Sequence, residues 1–134
     1  MASIDYIEGI GPKNATKLRK ARIRTTEALL KRGANRVGRK EIAVITGLED
    51  SQILGWVNRA DLMRVKGVGS EYSDLLEASG VDTVKELRRR NPAALTAKML
   101  EVNDAKRLVR RLPTEAMVEG WISRAQTLEP VVKH

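Results

Sequence analysis

The sequence predicts an all-α fold, and three observations support this. Apolar residues recur at i, i+3, i+4 and i+7 in two stretches, which predicts one apolar stripe along each of two helices. Strand signals are nearly absent, because the chain has no Phe, its aromatic content is 3%, and alternating runs are short. Two glycine pairs mark tight turns that lead into amphipathic segments. The two stripes are Ile53, Trp56, Val57 and Ala60, and Val118, Trp121, Ile122 and Ala125.

An internal repeat organises the chain. Two glycines that bracket one aliphatic residue occur twice, 58 residues apart, and an amphipathic segment follows each pair. Pro12 suits the first position of a helix, where its missing N–H is not needed, so we predict that a helix starts at Gly11 or Pro12. The first glycine turn is Gly9, Ile10 and Gly11, and the second glycine turn is Gly67, Val68 and Gly69.

The helix start after the first glycine turn is predicted to bind an anion the size of a phosphate. Backbone N–H groups at such a start lack partners within the helix and lie at the positive end of its dipole. The amides around Gly11, Lys13 and Asn14 would donate to phosphate oxygens, and the Lys13 and Lys17 side chains would add positive charge. The predicted nucleic-acid-binding residues are therefore Gly9, Ile10, Gly11, Lys13, Asn14 and Lys17.

Opposite charges follow the two glycine turns. Residues 12–24 contain six basic residues and no acid, whereas residues 70–82 contain four acids and no base. Glu71 stands where the first copy has Lys13. A carboxylate in the first turn of a helix complements the helix dipole and occupies the place that a phosphate would take. We therefore expect the second glycine turn to be mainly structural.

The pattern of an apolar residue, any residue, Gly, an apolar residue and Gly, followed by Ala15, resembles the helix-hairpin-helix motif of DNA-binding proteins. In that motif the backbone amides of the hairpin hold a DNA phosphate, so the resemblance implies contact that does not depend on base sequence. The second copy has Ser73 at the place of Ala15, which together with Glu71 departs from the motif.

Over nearly its whole length the chain also resembles a bacterial family of unknown function that is built from two such hairpins. The resemblance implies a compact helical domain of two tandem helix-hairpin-helix units and DNA as the general class of partner. The residues that carry it are 7–30, 55–62 and 65–87.

We divide the chain into a first unit at residues 1–60 and a second unit at residues 61–134. The tryptophans of the two stripes are 65 residues apart and the glycine turns 58, so the second unit has seven extra residues. We place them between Asn91 and Asp104, because Asn91-Pro92 favours a helix start and residues 101–104 break the apolar rhythm.

Three shorter signals locate further helices. Thr25 is predicted to cap a helix that ends at Gly33. Thr83, with Glu86 three residues later, predicts a capping box for the corresponding helix of the second unit. A third helical segment is predicted over residues 37–45.

A net charge of +8 and an isoelectric point near 10.1 favour polyanionic partners such as nucleic acid. Residues 1–60 carry 12 Lys and Arg against 6 Asp and Glu, whereas residues 61–134 carry 13 against 11. The first unit thus holds most of the excess positive charge. A secondary basic face at helical spacing, with a solvated surface as the alternative interpretation, comprises Lys106, Arg107, Arg110 and Arg111.

Composition argues against several classes of chemistry. The chain has no Cys and a single His, His134, so we expect no disulfide, no zinc site, no catalytic triad and no cofactor. Carboxylates are scattered, and helix-hairpin-helix enzymes take their chemistry from additional residues, so we expect no catalysis. No run approaches membrane-spanning length and residues 1–5 lack signal-peptide features, which predicts a cytoplasmic protein without a membrane partner.

The favoured function is therefore non-catalytic, sequence-independent binding of DNA through the first glycine turn. The alternative is a protein-interaction adaptor or self-assembling scaffold without DNA binding, in which the positive turn of one molecule meets the negative turn of another. A helix-turn-helix that reads bases is a weaker hypothesis, because Glu49 and Asp50 would bring carboxylates against phosphates at the start of its reading helix.

Overall fold

The computed structural model describes residues 2–134. Within them the chain forms eight α-helices, one short 3-10 helix and no strand, which confirms the all-helical prediction. None of these helices combines the length and the apolar character needed to cross a membrane. The 3-10 helix spans Ile4–Tyr6, and the α-helices are α1 Gly11–Lys20, α2 Thr26–Arg32, α3 Arg36–Thr46, α4 Asp50–Leu62, α5 Ser70–Ala78, α6 Val84–Leu87, α7 Pro92–Lys106 and α8 Glu115–Ala125.

The chain divides into two compact units. The first consists of the described residues up to Asp61 together with Val131–His134, and the second of Leu62–Pro130. The last four residues, which the sequence assigned to the second half, are thus bound to the first unit. Lys133 N donates to Ala34 O at 2.7 Å, and Arg39 Nη2 donates to Lys133 O at 2.8 Å.

The two predicted apolar stripes are confirmed, because all eight of their residues are buried. Trp121 is 2% exposed and belongs to the core of the second unit, and its ring centroid lies 5.0 Å from that of Tyr72 in α5. Trp56 is 4% exposed. Both tryptophans are therefore core residues rather than stacking surfaces.

Local capping signals were correct at two helix starts. Thr25 Oγ1 accepts from Ala28 N at 3.1 Å and caps α2, and Asn91 Oδ1 accepts from Ala94 N at 3.0 Å and caps α7. The capping box at Thr83 is wrong. Thr83 Oγ1 donates instead to Asp82 Oδ1 at 3.2 Å, and Glu86 Oε1 accepts from Arg90 Nε at 3.0 Å.

The predicted break at residues 101–104 is also wrong, because α7 continues through them to Lys106. α7 has 15 residues where α3 has 11, and residues 107–114 form a longer connection than residues 47–49, which join α3 to α4. The additional chain of the second unit therefore lies partly within α7 and partly after it.

Candidate nucleic-acid interface

The segment before the first glycine turn is held by the connection between α1 and α2. Ile4 N donates to Arg24 O at 2.9 Å, and Thr26 N donates to Ala2 O at 3.0 Å. The side chains of Ile4 and Ile7, in the same segment, are buried. Backbone hydrogen bonds and the burial of two isoleucine side chains thus hold the segment before the turn in place.

The first glycine turn has two glycines in the left-handed region, with φ of +88° at Gly9 and +71° at Gly11. Residues other than glycine rarely adopt this backbone conformation. Ile10 is 1% exposed and anchors the turn in the core, so only its backbone, and not its side chain, is available to a ligand. α1 begins at Gly11 with Pro12 in its first turn, as predicted.

Open space surrounds this turn. A Cβ placed on Gly9 or on Gly11 would have no described heavy atom within 4 Å. On α1, Ala15 and Leu18 are buried, while Lys13 and Lys17 are exposed and Asn14 is half-buried. The turn, the first amides of α1 and the two lysines therefore share one accessible surface.

Neither Lys13 nor Lys17 has a side-chain hydrogen bond or ion pair within residues 2–134. Arg19, by contrast, lies 3.3 Å from Asp5 Oδ2 and donates to Ser3 Oγ at 3.4 Å. The Ser3 hydroxyl, followed by Arg19, lowers the pKa of the Asp5 carboxyl. Lys13 and Lys17, which follow the turn, thus have no carboxylate partner among the described residues. Arg19, which is paired with Asp5, lies farther along α1.

α1 ends in a left-handed residue that is not glycine. Arg22 has a φ of +66°, its N–H donates to Arg19 O at 2.9 Å, and Ile23 N donates to Leu18 O at 2.9 Å. Arg32 Nη1 donates to Ala21 O at 2.6 Å and so holds this exit from the side of α2. The Arg22 side chain is exposed, so it is a further accessible cation among the six basic residues of 12–24.

The end of α5 repeats these contacts. Gly80 has a φ of +92°, its N–H donates to Glu77 O at 3.0 Å, and Val81 N donates to Leu76 O at 2.9 Å. Arg90 Nη2 donates to Gly80 O at 2.9 Å. Each donor and acceptor of the two main-chain bonds lies 58 residues after its counterpart at the end of α1.

The second glycine turn starts like the first but has different surroundings. Gly67 has a φ of +97°, but Gly69 is extended, with a φ of −99°. A Cβ on Gly67 would lie 3.1 Å from Trp121 Nε1, and Arg124 Nη1 donates to Lys66 O at 3.2 Å. Side chains of α8 therefore cover one side of this turn.

The start of α5 is less suited to an anion than the start of α1. Glu71 is exposed in its first turn. Ser73, at the place of Ala15, is fully buried, and its Oγ donates to Ser70 O at 2.8 Å. Ser73 thus replaces the small apolar residue by satisfying its hydroxyl locally, and the charge of Glu71 remains as the clearest difference.

The secondary basic face does not lie along a helix, which corrects the helical spacing assigned to it. Lys106 is the last residue of α7, and Arg107 leaves the helix with a φ of +51°. Arg110 and Arg111 follow in the irregular connection, where Arg111 O accepts from Tyr72 Oη at 3.0 Å. All four side chains are exposed, but they do not form one side of a continuous helix.

Arg39 is a buried cation that was not among the residues predicted from the sequence. Arg39 is 5% exposed, and its Nη1 donates to Gly33 O at 2.8 Å. Burial, followed by the charge of Arg36, lowers the pKa of Arg39. The one available signal was its position three residues before Ile42, on the buried side of α3. Because it is inaccessible, Arg39 adds to the net charge but not to the candidate interface.

Within the described residues, no group of three or more His, Cys, Asp and Glu side chains could hold a metal ion. A search of curated proteins and a search of solved structures gave no significant match. A family model does match, over residues 8–128. The chain therefore belongs to the family described as Domain of unknown function (DUF4332).

Proposed function

We propose that this protein binds DNA without regard to base sequence and without catalysing a reaction. In this proposal the chain consists of two tandem helix-hairpin-helix units, the first of which holds a backbone phosphate and the second of which is structural. In this proposal no metal or cofactor takes part. The protein is cytoplasmic, because in a cell without a nucleus the DNA lies in the cytoplasm.

The assignment of two related units is supported by the matched ends of α1 and α5. In both places the chain leaves the helix through a left-handed residue, Arg22 or Gly80, and an arginine farther along the chain, Arg32 or Arg90, donates to a carbonyl of that exit. Glycines with positive φ precede both helices. In the helix-hairpin-helix motif the turn lies between two helices, and here each glycine turn is preceded by a helical segment, Ile4–Tyr6 or α4, and followed by α1 or α5.

The observation that carries the DNA proposal is the open first glycine turn beside two lysines that have no partner among the described residues. Pro12 has no N–H, so the donors at the start of α1 are the amides of Gly11, Lys13 and Asn14. A phosphate there would accept from these amides and gain from the positive end of the α1 dipole. Lys13 and Lys17 would add charge without fixing base identity.

The test is the binding of a fluorescent DNA duplex, measured by anisotropy over a range of salt concentrations. We expect the wild type to bind duplexes of unrelated sequence equally and to lose affinity as salt rises, with a slope of about −0.9 for each phosphate neutralised. The Lys13→Glu, Lys17→Glu variant should lose binding. A matched control is Lys85→Glu with Lys98→Glu, which makes the same charge change at two exposed positions of α6 and α7 and should retain most of the affinity.

Two outcomes would contradict the proposal. The first is an absence of wild-type binding at low salt, which would favour the adaptor alternative. The second is an equal loss of binding in the variant and in its control, because net charge alone, and not the first glycine turn, would then account for the affinity.

A further inference from the structure

The second unit has a hollow at the end of α7, where its chain is longer than that of the first unit. Residues 107–114 join α7 to α8, whereas residues 47–49 suffice to join α3 to α4. The hollow, here called the α7 cleft, has a volume of about 470 Å³ and is lined by side chains from residues 100–104 of the helix and 107–112 of the connection. The long connection thus adds a surface beyond what the joining of two helices requires.

The walls of the α7 cleft are apolar. Leu100 on α7 is 39% exposed and Leu112 in the connection is 49% exposed. They account for two of the six large apolar side chains that are exposed within residues 2–134. Val109 also lines the cleft and is buried in the core of the second unit. A large apolar side chain of a ligand would shield both leucines from water, which is favourable.

Two arginines without side-chain partners line the same cleft. Arg107 and Arg110 are exposed, and neither side chain has a hydrogen bond or ion pair among the described residues. Asp104 is the one acid in the lining, so positive charge is in excess. Because a guanidinium group binds a carboxylate through two parallel hydrogen bonds, the cleft favours a ligand that combines carboxylates with an apolar group.

The connection that carries these side chains is held in place by α7 and α5. Asn103 Oδ1 accepts from Val109 N at 2.9 Å, and Asn103 Nδ2 donates to Val109 O at 3.3 Å. Arg107 N donates to Asn103 O at 2.7 Å. Tyr72 Oη donates to Arg111 O at 3.0 Å. The α7 cleft is therefore formed before any ligand binds.

We propose that the α7 cleft binds an acidic peptide segment of a protein partner, in which a large apolar side chain lies next to a carboxylate. The apolar side chain packs against Leu100 and Leu112, and the carboxylates pair with Arg107 and Arg110. The backbone N–H groups of Arg110 and Leu112 have no partner within residues 2–134. They donate to main-chain carbonyls of the bound segment, as in other complexes with extended peptides.

A nucleic-acid strand fits this cleft less well than a peptide. A continuous row of phosphates would bring negative charge against Asp104. Bases stack on aromatic side chains, and the residues described along the cleft include none. A peptide can place its carboxylates beside the arginines and donate its own N–H groups to Asp104. This inference is independent of DNA binding at the first glycine turn.

The test is a selection of random heptapeptides, displayed on phage, against the immobilised full chain. We expect the selected peptides to share a large apolar residue next to Asp or Glu. Fluorescence anisotropy then measures the affinity of a labelled selected peptide. Arg107→Glu with Arg110→Glu should weaken its binding at least about tenfold, because two attractive charges become repulsive. Leu112→Ala should weaken its binding about fivefold through the loss of apolar contact.

A matched control separates the cleft from net charge. Lys85→Glu with Lys98→Glu makes the same charge change at two exposed positions outside the cleft and should bind the peptide like the wild type. All variants should retain the wild-type circular dichroism spectrum, because the substituted side chains are exposed.

Four results would overturn the proposal. They are a selection that enriches no peptide over the bare surface, enriched peptides without carboxylates, an equal loss of peptide affinity in the arginine and lysine variants, and an arginine variant that binds the peptide normally. If that last variant also lost DNA affinity, the α7 cleft would be a nucleic-acid contact instead.

Discussion

The first and second glycine turns begin with the same residue pattern but differ in what surrounds them. Around the first, a Cβ on Gly9 would meet open space, whereas a Cβ on Gly67 would lie 3.1 Å from Trp121 Nε1. Lysines follow the first turn and Glu71 follows the second. The glycine pattern therefore specifies a backbone turn, while packing and neighbouring charge decide whether that turn is available to a ligand.

The largest expected effect comes from removing the side chain that covers the second turn. Trp121→Ala should lower the free energy of unfolding of the chain by about 3–5 kcal/mol, because a buried aromatic ring leaves a cavity. Urea denaturation measures this loss. Hydrogen exchange should become faster at the amides of Gly67 and Val68 and stay unchanged at Gly9. Leu112→Ala, at a side chain that is 49% exposed, is the control and should change stability by less than about 0.5 kcal/mol.

A second comparison substitutes the leading glycine of each turn. Gly9→Ala should cost about 1–2 kcal/mol of unfolding free energy, because alanine is disfavoured at positive φ. Gly67→Ala should cost about 1–3 kcal/mol more, since Trp121 must also move. For DNA affinity the order of the two variants should be the reverse. Gly9→Ala should bind DNA more weakly, whereas Gly67→Ala in its folded state should keep the wild-type affinity. Equal stability losses would show that the packing difference has no energetic weight.

The smallest effect concerns the two helix exits. Arg22→Gly should raise the free energy of unfolding by roughly 0.5–1 kcal/mol, because glycine relieves the left-handed strain but adds freedom to the unfolded chain. Gly80→Arg should lower stability by a similar amount. Arg22→Gly should also weaken DNA binding slightly through the loss of one exposed cation. A destabilised Arg22→Gly variant would show that the left-handed conformation of Arg22 carries no strain that glycine can relieve.

Local signals in the sequence predicted the features that depend on a few neighbouring residues. The start of α1 at Gly11, the caps Thr25 and Asn91, and the burial of Trp56 were all readable because each follows from backbone geometry or helical periodicity. The same signals failed at Thr83, where α6 has only four residues and both predicted partners make other contacts.

Features that depend on distant contacts could not be predicted. Arg39 reads as one more surface cation, and its burial follows from carbonyls at Gly33 and Lys133. The return of residues 131–134 to the first unit has no local signature. Arg107 ends α7 in a left-handed conformation, so the basic residues after it lost their predicted helical spacing. The openness of the first glycine turn likewise depends on packing that no pattern of glycines specifies.

Phosphate binding at the first glycine turn can be tested by titrating the ¹⁵N-labelled full chain with a short DNA duplex and following the amide chemical shifts. We predict that the amides of Gly11, Lys13 and Asn14 shift and that those of Gly67, Val68 and Gly69 do not. Shifts that centre on the second glycine turn, shifts of equal size at both turns, or no shift at either would contradict the claim that the first turn alone holds the phosphate.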